Sequence, residues 1–165
     1  MILKNKIKKP AELSKICAEE REKGKKIVFT NGCFDLLHLG HLTYLTEARN
    51  LGDILIVGIN SDDSIRKIKG DKRPLTPETD RLQMLAGLEC VNYVTIFSET
   101  DPYQLIALLK PDILVKGGDW EIDKIVGKDL VEKEGGKVFA IKLTPGYSTS
   151  KLIEKIVARY GSINE

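Results

Sequence analysis
The sequence predicts a doubly wound α/β domain built on a mainly parallel sheet of about five strands. Three observations carry that expectation. Short apolar runs alternate with helix-like stretches along the whole 165-residue chain. The run at 53–60 is apolar on both faces, as a central parallel strand must be when helices cover both sides. Each strand ends in polar or glycine residues followed by a helix start, the place where open parallel sheets bind ligands.

The elements follow in order. Residues 10–23 read as a first helix, with Pro10 suited to the opening turn, Leu13, Ile16 and Cys17 as an inner stripe and Gly24 as the stop. Ile27, Val28 and Phe29 form a buried strand that turns at Asn31-Gly32. From Leu39 a helix runs to 50, with Leu42, Leu45 and Ala48 inward and Gly52 closing it. The strand at 53–60 ends in Asn60-Ser61-Asp62-Asp63.

Residues 64–77 place five cations between Arg66 and Arg73 and read as a loop, solvated or closing over phosphates, with Lys69 and Arg73 turned inward beside Gly70 and Pro74. Thr76 then caps a helix with Pro77 at its first position, continuing through Arg81, Leu82, Met84, Leu85 and Leu88. A strand at 93–97 leads to Asp101-Pro102, which starts a helix with Leu105, Ile106, Leu108 and Leu109 inward. The strand at 112–116 ends in Gly117-Gly118-Asp119-Trp120, a helix spans 128–134, and a last strand spans 138–141. Tyr147-Ser148-Thr149-Ser150 opens a final helix with Leu152, Ile153, Ile156 and Val157 inward.

Composition bounds the function classes. Hydrophobic residues at 42% and charged residues at 30% are ordinary for a globular enzyme. A net charge of +2 gives no argument for nucleic-acid or membrane partners. Three widely spaced cysteines, Cys17, Cys33 and Cys90, lack a C-x-x-C spacing and suggest a reducing interior. No apolar stretch reads as a leader or a membrane span, so a cytoplasmic single domain over 1–165 is expected, with the helix in 1–24 packed on it.

The chain is organised around 26–50, where its only two histidines, His38 and His41, sit at the first turn of a helix after a strand. A helix start carries unpaired N–H groups and about half a positive charge, so it attracts phosphate. Histidines at i and i+3 share a helix face and can offer ring N–H donors to one anion. Gly40 between them lets a ligand approach the backbone. Ser148, Thr149 and Ser150 make a second helix start with anion-binding character, or simple caps. Asp119 is placed to accept from hydroxyls, Trp120 reads equally as a flat ligand wall or a packed anchor, and Arg81 equally as a surface cation or a site residue. No G-x-G-x-x-G follows the first strand and no G-x-x-x-x-G-K-[ST] occurs, which counts against nicotinamide, flavin and P-loop chemistry. Zinc held by His38, His41 and Asp35 is disfavoured, because H-x-x-H lacks the i+4 spacing of the common helical pair.

The segment Asn31-Gly32-Cys33-Phe34-Asp35 to His38-Leu39-Gly40-His41 resembles the T-x-G-x-F-D-x-x-H-x-G-H signature of the cytidylyltransferase-like nucleotidyltransferases, over roughly 26–156. Asn60-Ser61-Asp62, the 69–74 stretch, 115–119 and 146–150 most resemble the adenylyltransferase domain of ADP-heptose synthases. The resemblance implies a Rossmann-like fold of the HxGH type and adenylyl transfer from ATP to D-glycero-β-D-manno-heptose 1-phosphate. The products are ADP-heptose and pyrophosphate, for lipopolysaccharide core synthesis, with no kinase domain in this chain. Glycerol-3-phosphate cytidylyltransferase and FMN adenylyltransferase of the same superfamily are the alternatives, and nucleotide binding without turnover is a third. By the same resemblance His38, His41 and Lys69 serve catalysis. Thr30, Asn31, Gly32, Phe34 and Gly40 sit with the nucleotide, as do Arg81, Lys116, Gly117, Asp119, Ser148, Thr149 and Ser150. Asp35, Asn60, Asp62, Arg73 and Trp120 fall to the substrate side. Mg²⁺ accompanies ATP without a dedicated protein cage, the partners are ATP and a sugar 1-phosphate, and a homodimer is expected by analogy.

Overall fold
The computed structural model describes residues 5–118, 120–142 and 144–161. Five parallel strands, β1 (Ile27–Gly32), β2 (Ile54–Asn60), β3 (Tyr93–Phe97), β4 (Ile113–Gly117) and β5 (Lys137–Ile141), form one sheet in the order β3-β2-β1-β4-β5. The chain steps outward from β1 through β2 to β3, then returns to the other side of β1 with β4. That reversal puts a switch point between β1 and β4, where a crevice opens at the carboxyl ends of the strands.

Strand alternation divides the core in two. Val28, Leu55, Val57 and Val115 point to one face, where they meet Leu45 and Ala48 of α2 (Leu39–Arg49) and Leu85 of α4 (Glu78–Ala86). Ile27, Phe29, Ile56 and Leu114 point to the other face. There they meet Leu13 and Cys17 of α1 (Pro10–Glu22), Ile106 and Leu109 of α5 (Tyr103–Leu109) and Val131 of α6 (Lys128–Lys133). Every residue of β2 is buried, so the run at 53–60 is the central strand its composition indicates. Among the described residues no helix is long and apolar enough to cross a membrane.

Four expectations are corrected. The cationic stretch begins as a helix, α3 (Asp62–Lys69), not a loop. Ser61 caps it by accepting from Ser64 N, Asp62 and Asp63 lie in the first turn, and Arg66, Lys67 and Lys69 in the last, so the charges complement the helix dipole. Gly70, at φ 88°, stops it. The cap of α4 is Pro77, because both backbone groups of Thr76 are taken: its N–H by Asp35 and its carbonyl by Arg81.

In α2 the inward residue is Tyr44, whereas Leu42 faces out. Leu108 of α5 and Met84 of α4 likewise face solvent. The fourth correction is α7 (Thr149–Tyr160), which has no buried residue; Ile156 and Val157 are exposed, not packed. It follows the edge strand β5 and meets the body at its start, where Tyr147 packs so tightly on Gly40 that a Cβ there would lie 2.9 Å from Tyr147 Cβ.

The first helix is an integral part of the core, with Leu13 completely buried between α5 and the sheet. Leu13→Ala is expected to lower stability by about 2–5 kcal/mol, read as a shift in the urea midpoint at unchanged slope.

Candidate active site
The site is built where β1 and β4 separate. After Gly32 the backbone turns through Phe34, held at φ 49°, so that its ring drops into the core and lies 5.2 Å from the His41 ring. A Cβ on Gly32 would come within 3.0 Å of that ring, which explains the glycine. His38 is the N-cap of α2: its Nδ1 accepts from His41 N at 3.3 Å. The two imidazoles stack, with centroids 3.8 Å apart and planes at 15°. Because Nδ1 of His38 is an acceptor, the proton of its neutral ring resides on Nε2. Burial, and secondarily the neighbouring His38, push the His41 pKa down to about 4; burial also lowers that of His38. Both rings are therefore neutral at pH 7 and act as donors through one N–H each.

Thr30 is buried, with its hydroxyl paired to the Tyr44 hydroxyl and its backbone in register with Val57 and Val115 inside the sheet, so it does not face a cavity directly. Asn31 accepts from Lys116 Nζ at 3.2 Å across the β1–β4 switch point. Burial holds the Lys116 ammonium below the usual lysine range, and it lies 5.8 Å from the Trp120 ring centroid. Gly117 ends β4, and Gly118, at φ 124°, donates to Ile141 O. Asp119, expected beside the nucleotide, lies outside the described residues.

Two cavities open at this end of the sheet; the smaller has His38 on its wall, and the larger has Asn31 and Gly32 of the same strand-to-helix turn but neither histidine. One, of about 330 Å³, crosses the strand ends from Lys116 and Trp120, past Asn31, Gly32 and Asn60, to Lys69 of α3 and Thr100-Asp101-Pro102 after β3. The other, of about 280 Å³, is walled by His38, Tyr147, Ser148, Lys151 and Lys155 at the start of α7. Ser148 caps that helix by accepting from Lys151 N, so the N–H groups of Thr149 and Ser150 lie in an unfinished first turn that suits an anion.

Several sequence-predicted site residues do other work. Arg81 does not face either cavity; it is completely buried. Its guanidinium donates to Cys33 O at 2.6 Å, Asn60 O at 2.9 Å, Thr76 O at 3.0 Å and Asp62 Oδ1 at 2.7 Å. Asp62 is thereby a partner of Arg81, and its own N–H goes to Glu78. Asp35, also buried, accepts from Leu75 N and Thr76 N at 2.8 Å each and from Arg73 Nε. Those N–H groups and the Arg73 guanidinium hold its carboxyl below the usual range. Asp35 and Arg73 thus tie the 73–76 segment to the histidine loop. Asn60 turns its side-chain amide to Ser64 Oγ while bordering the larger cavity. Thr100, Asp101 and Lys124 line that cavity and were missed; the polar end of β3 was the available signal.

The cytidylyltransferase-like family profile matches residues 29–155, which contain both cavities' principal walls. The chain belongs to that family. It is 54% identical over 156 residues to the bifunctional protein HldE of Citrifermentans bemidjiense and 55% identical over 156 residues to that of Trichlorobacter lovleyi. Each alignment covers 94% of this chain and 32% of the relative, so the chain spans about a third of the length of these curated relatives. A solved lipopolysaccharide core biosynthesis protein from Thermoplasma volcanium superposes with a TM-score of 0.60 at 31% identity, covering 73% of this chain and 98% of that one. A pantoate-beta-alanine ligase from Francisella tularensis, with a TM-score of 0.58 at 17% identity over 96% of this chain and 81% of its own, shares the fold alone.

Two predictions follow from these assignments. Arg81→Met is expected to lose about 3–5 kcal/mol in urea unfolding, because it strands a carboxylate and three carbonyls; intact stability with weakened ATP binding would return the guanidinium to the nucleotide. The unfolded His41 titrates near 6.5 and the folded one near 4, so the unfolded state binds more protons between those values. Stability should therefore fall as pH drops through that window and level off below it, with the His41 ring resonances titrating near pH 4 by NMR.

Proposed function
We propose that the chain transfers the adenylyl group of ATP to D-glycero-β-D-manno-heptose 1-phosphate, releasing pyrophosphate and forming ADP-heptose. The observation that carries this is the stacked neutral histidine pair at the start of α2, with His38 on the wall of the smaller cavity and Asn31 and Gly32 of the same turn on the wall of the larger. The smaller has a helix start and two lysines, which suit a triphosphate. The larger is mainly apolar and carries Lys69, Lys116, Lys124 and Asp101. It is assigned to the acceptor, so that Asn31, Gly32 and Lys116, expected with the nucleotide, border the acceptor instead. The similarity to the HldE proteins and to the lipopolysaccharide core protein supports the heptose acceptor over glycerol 3-phosphate or FMN.

An acceptor phosphate oxygen attacks Pα of ATP; the new O–Pα bond forms as the Pα–O–Pβ bond breaks, and pyrophosphate takes the electron pair. No protein nucleophile is required, so catalysis rests on alignment and on neutralising charge as the in-line geometry develops. His38 donates from Nε2, and His41, in a bed made apolar by Phe34, holds the Pα oxygens. Lys69 spans the reacting phosphates from the end of α3. Ser148, Thr149 and Ser150 hold the β- and γ-phosphates at the start of α7. Mg²⁺ enters with ATP as its complex: the walls present lysines, hydroxyls and imidazoles, which suit phosphate oxygens, and leave the ion to the triphosphate and water.

Pyrophosphate release tests the reading. With heptose 1-phosphate and Mg²⁺, ATP should support release and CTP should not. His41→Ala should lower kcat by about 10²-fold or more without unfolding the protein. Release with CTP only, or independence from the sugar, would overturn the heptose assignment.

A further inference from the structure
Among the described residues the larger cavity has one carboxylate on its wall, Asp101, with three lysines, Lys69, Lys116 and Lys124. Its position follows from sheet order. The histidines and Asn31 belong to the carboxyl end of β1, whereas Asp101 lies beyond β3, two strands away. Neighbouring strands are spaced about 4.8 Å apart, so the two ends of the cavity are separated by roughly 10 Å. Asp101 therefore belongs to the β3 side of the cavity, away from Asn31 and Lys116 at the β1–β4 switch point, and faces the part of an acceptor farthest from a phosphate held there.

Asp101 is built to receive hydroxyls there. Its Oδ1 accepts from Tyr103 N at 2.9 Å and so fixes the start of α5. Among the described residues nothing else pairs with the carboxylate, and Asp101 is exposed, so Oδ2 is open to solvent or to a ligand. An ionised carboxylate only accepts, so it favours neighbouring O–H donors and repels a second phosphate or carboxylate. The Thr100 side chain beside it can either donate or accept.

We propose that Asp101 is a specificity-determining residue that reads the outer hydroxyls of the acceptor, farthest from its reacting phosphate. The inference rests on the sugar-phosphate reading above. For a heptose 1-phosphate those hydroxyls are the glycol at C6 and C7. Mannose 1-phosphate matches the ring but lacks C7, and glycerol 3-phosphate is too short to reach the β3 loop. A wall that hydrogen-bonds a substrate hydroxyl discriminates strongly against an analogue without it, because its own polar group is left unpaired.

The test compares wild type with Asp101→Asn and Asp101→Ser on the full chain, following pyrophosphate release with ATP and either heptose 1-phosphate or mannose 1-phosphate. Both replacements keep an acceptor for Tyr103 N, and equal melting temperatures verify that α5 is intact. The expected result is a tenfold or larger rise in KM for the heptose phosphate, an unchanged KM for ATP, and loss of the wild-type preference for heptose over mannose. Unchanged sugar kinetics, or equal losses for both sugars and for ATP, would overturn the role of Asp101 while leaving the reaction standing. Wild-type protein that turns over neither sugar would overturn the sugar-phosphate reading and this assignment together.

Discussion

A buried guanidinium holds the site together. Arg81 leaves α4 and reaches, with four donated hydrogen bonds, the turn after β1, the end of β2, the first residue of α3 and the segment before its own helix. Those are the pieces that carry Phe34 and the histidines, border the larger cavity and bring in Lys69. A planar fork with several donors can satisfy carbonyls pointing from different directions, which a lysine ammonium at the same position cannot do with the same geometry. Asp35 makes the complementary arrangement on the same loop, collecting two backbone N–H groups and Arg73. The cost of burying these charges is met by saturating their hydrogen bonds, the condition under which buried ions are tolerated. Both residues act through the loops they fasten.

This frame explains why the histidines can be neutral and still serve phosphate chemistry. The His41 ring sits on Phe34 and against His38, so protonating it in the unliganded protein would bury charge beside another titratable ring. Positive charge is supplied instead by Lys69, Lys116, Lys151 and the start of α7, spread over two cavities. Neutral N–H donors fixed by packing require little reorganisation when a charged oxygen arrives, and a water-poor setting strengthens them. An incoming triphosphate also changes the balance: its negative charge favours the imidazolium form, so ligand binding and proton uptake are coupled at this pair.

Much of this was legible in the sequence, for physical reasons. Strands buried on both faces must be continuous apolar runs, and a glycine-flanked histidine pair at a strand-to-helix turn has few structural uses. The parallel sheet with helices on both faces followed. The stretch from 62 to 69 was misread because its cations drew attention as a charge run, although Ser61, the two leading aspartates and Gly70 spell out both ends of a helix. Arg81 and Asp35 were placed with ligands by the family resemblance, while spacing alone left Arg81 open between a surface cation and a site residue. Only coordinates reveal that their hydrogen-bonding capacity is spent on backbone groups distant in sequence. For α7, apolar periodicity predicted burial, yet periodicity specifies a face and not a neighbour; a helix following an edge strand need not find one.

The two cavities also constrain the order of events in space. In-line displacement needs the attacking and leaving oxygens on opposite sides of Pα. In the proposed reaction, a cavity bordered by His38 and another bordered by Asn31 and Gly32 would keep the approach of the acceptor apart from the exit of pyrophosphate. Tyr147 packing on Gly40 fixes one side of that divide, since no other side chain at position 40 leaves room for it. The Asn31–Lys116 contact at the switch point borders the other. Where β1 parts from β4 thus decides which loops border each cavity, and the loops after β3 and before α7 form their far walls.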